Sequence, residues 1–91
     1  MKSIGLNNNL IFSIEPLVNS VRLIVSEVDH EIACRKETIK NLNSFLEGDN
    51  ENIFKGRLQL SKLDQDIEII INKIPIGKIP LYSFSKLLNE A

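Results

Sequence analysis

A chain of 91 residues with 43% hydrophobic and 25% charged side chains has room for one core rather than two, and an aromatic share of 5% leaves most of the packing to Ile and Leu. Eleven basic against twelve acidic residues give a net charge of −1, far from the basic stripe that phosphate neutralisation needs, which argues against nucleic acid as a partner. The lone Cys34 excludes an intramolecular disulfide and the usual four-ligand zinc arrangement and favours a reducing compartment, and no uncharged apolar run approaches the ~18 residues of a membrane span.

Residues 1–12 read as a lead-in. Gly5 and Asn7, Asn8 and Asn9 disfavour helix, and a single lysine with a broken apolar stretch and no small-residue cleavage pattern does not make a signal peptide, so the expected location is the cytoplasm. Further on, Ile14, Val18, Val21, Val25, Val28, Ile32, Ile39, Leu42 and Leu46 follow one another at steps of four and three, with Arg35 the one polar member. On a helix turning ~100° per residue these side chains lie within about 40° of one line, so the spacing predicts a helix over 13–47 with a buried seam. Ser13 is its expected N-cap, with Pro16 in the first turn, and Gly48 is its expected stop in the left-handed conformation. A kink near Arg35 would divide it in two.

Gly48, Asp49 and Asn50 form a short break, and Asp49 or Asn50 can cap a second helix over 50–74 whose seam is Ile53, Gly56, Leu60, Leu63, Ile67, Ile70 and Ile74. So short a loop leaves the two helices antiparallel, with Gly56 marking a close backbone approach. Within this stretch Ile67-Glu68-Ile69-Ile70-Ile71 has strong β propensity. The seam crosses it without a change of period, however, and Ile74 to Leu81 is the only other strand candidate, too little for a sheet, so helix is the preferred reading. Pro75 ends the helix, an extended apolar linker follows, and Leu81, Phe84, Leu87 and Leu88 return to helical spacing over 80–90. The expected fold is all-α: an antiparallel helical hairpin with a long first helix and a short C-terminal third helix, in one domain over 1–91.

Chemistry-bearing residues are sparse. His30 and Cys34, four apart on one helical face beside Glu27 and Glu31, come nearest to a metal pair, but no second His or Cys completes the shell, so neither metal nor cofactor is expected. Asp64, Asp66 and Glu68 read as a solvated helix exterior rather than an acid–base pair, and Gly77-Lys78 lacks the glycines of a phosphate loop, so no enzyme is expected. Surface residues remain. Leu23 projects opposite the first seam with Glu27 and His30 near it, while Phe54, Leu58 and Ile69 form a rear stripe on the second helix. Six acidic against four basic residues between Glu47 and Lys73 give that segment a charge of −2, suited to a basic partner. These features point to a protein-binding module with Leu23, Glu27, His30, Asp64, Asp66 and Glu68 as contact residues, of the immunity type that binds and neutralises a partner toxin. The alternative is a homo-oligomeric helical adaptor or secretion chaperone, pairing as a homodimer through the uncovered part of its seam.

Overall fold

Between Leu10 and Glu27 the fully buried residues Phe12, Ile14, Val21, Leu23 and Val25 come at every second position within two runs, the period of strands with one face on a core. The structure, a computed structural model, describes residues 2–6, 9–28, 30–48, 51–54 and 56–90. Strands β1 (Lys2–Gly5), β2 (Leu10–Leu17), β3 (Ser20–Glu27) and β4 (His30–Thr38) form an antiparallel meander in that order, followed by helix α1 (Ile39–Glu47). Strands β5 (Asn52–Ile53), β6 (Leu58–Leu63), β7 (Asp66–Ile71) and β8 (Ile74–Pro80) form a second meander, followed by helix α2 (Leu81–Glu90).

Two-residue turns close the tight hairpins, and most of the positive φ angles that such turns require fall on residues that tolerate them: Asn19, Asp64 and Asn72. Pro16 fits because it pairs with Val21 one rung from the turn, at a position whose nitrogen is directed away from β3, beyond the last described rung of β1.

The all-α expectation is overturned, and with it the helices over 13–47 and 50–74. Each step of four in the supposed seam is equally two strand periods, and the steps of three from Val18 to Val21 and from Val25 to Val28 fall where the chain enters or leaves a hairpin turn. Val18 and Val28 are turn residues, 90% and 74% exposed, whereas Leu23, Leu58 and Ile69, placed off the seams, are core. The strand reading of 67–71, set aside for want of partners, is the one adopted: β7 pairs with β6 on one side and β8 on the other. Helix survives at 39–47 and 81–90. Ser13 is a buried strand residue rather than a cap; the caps expected at Asp49 or Asn50, like Asn7 and Asn8, lie outside the described residues. Gly48 does end α1, but with φ −88° rather than in the left-handed region; glycine suits the position because a Cβ there would stand 2.7 Å from the Ser44 carbonyl oxygen. No helix among the described residues is long and apolar enough to cross a membrane.

The two halves repeat one pattern. Phe12, Ile14, Val21, Leu23 and Val25 have their counterparts in Leu58, Leu60, Ile67, Ile69 and Ile71, at a constant offset of 46 (58 − 12). Because the β7–β8 hairpin ends at Ile71, the counterpart of Val25, and β3 runs on to Glu27, the second hairpin is two residues shorter on each strand. The offset therefore falls to 42 (84 − 42) in the helices, where buried Leu42 corresponds to buried Phe84. One core joins the halves: Phe84 of α2 stacks on Phe12 of β2 with ring centroids 5.9 Å apart.

Candidate functional site

Thr38 starts α1: its hydroxyl accepts from the Asn41 backbone N–H at 3.1 Å, and the Glu37 carboxylate accepts from the Thr38 backbone N–H at 2.8 Å and the Asn41 side-chain amide at 2.9 Å. Helical periodicity then turns Leu42 and Phe45 to the core and leaves Asn43, Leu46 and Glu47 on a neighbouring face. In α2 the same periodicity buries Phe84 and Leu88 and aligns Tyr82, Ser85 and Asn89. Leu81 donates its backbone N–H to the Gln65 carbonyl at 2.7 Å, which ties the start of α2 to the β6–β7 turn.

A cleft of ≈ 800 Å³ results, lined by Asn43, Leu46, Glu47, Gln65, Pro80, Leu81, Tyr82, Ser85 and Asn89. Asn43 and Ser85 are counterparts in the repeat, as are Glu47 and Asn89, so the cleft takes the same face from both helices. Tyr82 stands in its lining 75% exposed, a large amphipathic side chain left without cover. The lining offers three carboxamides, a hydroxyl and a phenol for hydrogen bonding, an aliphatic floor from Leu46, Pro80 and Leu81, and the one carboxylate of Glu47. Such a set can form hydrogen bonds and apolar contacts. Comparison with protein-family models, characterised proteins and solved structures returns no match.

The residues expected to make contacts do not form one site. Leu23 is fully buried at the centre of β3, because its alternation with Val21 and Val25 places all three on the core face; it is withdrawn as a surface anchor. Glu27 and His30 are exposed and face each other on the last rung of the β3–β4 hairpin. His30 and Cys34 belong to β4, where four residues span about 13 Å, so the adjacency that a helix would give them is lost. Among the described residues no three His, Cys, Asp or Glu side chains come together as a metal-binding group. Asp64 and Asp66 flank Gln65 at the β6–β7 turn, and Asp66 pairs with Lys78 at 3.6 Å, while Glu68 faces Lys78 across the strands.

On the outer face of the first sheet Arg22 of β3 lies between Glu15, at 3.5 Å, and Glu31, while its Nε has no partner among the described residues. Hydrogen bonding to the Cys34 side chain and the charge of Glu31 hold the guanidinium further toward its protonated form. The cluster keeps one negative charge in excess, since a single cation meets two carboxylates, Glu15 of β2 and Glu31 of β4, from the strands on either side. Tyr82, Ser85 and Asn89 lie off the apolar stripe of α2 that hydropathy singles out, and their own spacing of three and four is the signal that the sequence carries for them.

Proposed function

We propose that this protein is a protein-binding module whose contact surface is the cleft between α1 and α2. The observation that carries this is Tyr82: an aromatic side chain 75% exposed, set among carboxamides and aliphatic groups in a cleft large enough to receive another protein's side chains. Tyrosine supplies contact area at small entropic cost and is enriched among the residues that dominate binding energy. Glu47 in the lining and Asp64 at the adjoining turn give the surface an acidic bias that suits a partner segment with basic side chains. The immunity-type inhibitor of a partner toxin is the specific form of this reading; it requires no more than a rigid scaffold with such a surface. A cytoplasmic location agrees with the single exposed thiol of Cys34.

The test is a substitution that leaves the fold alone. Tyr82→Ala should keep the circular dichroism spectrum and shift the melting midpoint little, since exposed substitutions usually stay within ~0.5 kcal/mol. Affinity for a partner captured by the unaltered protein, or for a toxin co-expressed with it, should fall about tenfold or more. A partner that binds Tyr82→Ala and Ser85→Arg as tightly as the parent would move the contact surface elsewhere.

A further inference from the structure

The two ββββα halves bury each other. Among the described residues their sheets are hydrogen-bonded separately and share no strand, so side-chain packing joins them. Phe84 stacks on Phe12, the Arg35 guanidinium of β4 lies 4.3 Å over the Phe54 ring, and Lys62 Nζ of β6 lies 5.2 Å from the Phe45 ring of α1. The covalent connection is brief, as α1 ends at Glu47 and β5 begins at Asn52. A surface of this kind, formed between two parts of one chain without a shared hydrogen-bonded ladder, is satisfied equally well when the parts belong to different chains; only the connection between them differs.

We propose that the surface between the halves also accepts the corresponding half of a second copy of this chain, so that two copies can assemble as a half-exchanged dimer in which the connection from α1 to β5 runs between exchanged halves and serves as the hinge. The exchange breaks no rung of either sheet and restores every contact named above between chains. What opposes it is the high effective concentration that a short connection gives to the two halves of one molecule, in the millimolar range for flexible linkers. Monomer is therefore the form at low concentration, and shortening the hinge shifts the balance to the dimer. The hinge itself is held at both ends by β6: Lys62 Nζ donates to the Gly48 carbonyl at 2.6 Å, and the Lys62 backbone N–H donates to the Glu51 carbonyl at 2.6 Å.

Two measurements on the full chain test this. Deleting residues 49–51 removes about 10 Å of reach, and light scattering should then give the mass of two chains with the parent's circular dichroism and one melting transition. In a second variant a protease site is inserted in the hinge; isotopically light and heavy preparations are cleaved, mixed, unfolded in urea and refolded. Native mass spectrometry should find heavy–light hybrids in the statistical proportion, with the parent's spectrum. A deletion variant that stays folded and monomeric, or cleaved halves that form no hybrids, overturns the proposal. Should the deletion variant fail to fold, hybrid formation decides.

Discussion

Val28 occupies the β3–β4 turn with φ 55°, a left-handed backbone that a β-branched side chain adopts only under strain, and it does so without compensating burial. Its methyl groups contribute nothing to the core from there. Strain of this kind costs on the order of 1–3 kcal/mol, and Asn takes up the same backbone with local hydrogen bonding. Val28→Asn should therefore stabilise the protein by about 1 kcal/mol, which for a domain of this size raises the melting midpoint by roughly 4–8 °C. A lowered midpoint in differential scanning calorimetry would show that the valine makes a contact worth more than the strain. Leu23, five residues earlier in β3, shows the opposite placement: on the core face, it is a residue whose truncation the fold would feel throughout.

At the scale of elements, α1 is a nine-residue helix whose first turn is secured by Thr38, Glu37 and Asn41. Burial disfavours the ionised form of Glu37, but hydrogen bonds from the Thr38 backbone and the Asn41 amide, helped by the charge of Arg35, outweigh it and hold the carboxyl below its ordinary range. A carboxyl depressed in the folded state stabilises it above the unfolded-state pKa and loses that contribution as pH falls through the folded-state value. Glu37 thus supports α1 at neutral pH and loses that contribution as acidification carries the carboxyl through its depressed folded-state value. Glu37→Gln should lower the urea midpoint at pH 7 and lower it by less at pH 3. Equal losses at both pH values would assign Glu37 a packing role instead. Among the strands, β8 carries Pro75 and Pro80 on an edge, where missing donors discourage further pairing.

Across the whole molecule, the repeat makes each half the cover of the other. Phe84 belongs to the second half by sequence yet stacks with Phe12 of the first, fully buried, and Leu6, ahead of β2, lies 3.5 Å from where a Cβ on Gly77 of β8 would stand. Phe84→Ala should cost ~3–5 kcal/mol, a large share of what a domain of this size possesses. Hydrogen exchange should show the loss in β2 and β3 as well as in β7 and β8. Protection lost in the second half alone would mean that the halves are independently stable.

The sequence by itself determined the size of the core and its aliphatic make-up, the break after Glu47 at Gly48, and the C-terminal helix, where Leu81, Phe84 and Leu88 have no strand reading to compete with. It also marked Asp64 and Asp66 as acidic surface, though not that Gln65 between them lines a cleft with Tyr82. Between Ile14 and Ile32 the steps of four fit both periods, because four residues make about one helical turn and also two strand periods, and the isoleucines of 67–71 offer a helical pair, Ile67 and Ile70, beside the alternating Ile67, Ile69 and Ile71 that the core takes. Local spacing could not choose between them. The choice belongs to pairing: a strand such as Ile67–Ile71 gains its backbone hydrogen bonds only from neighbours, here β6 and β8, and each neighbour was as ambiguous as the strand it supports. Only when eight strands are counted together does each find its partners, and the cleft that the two helices form over them exists at that level alone.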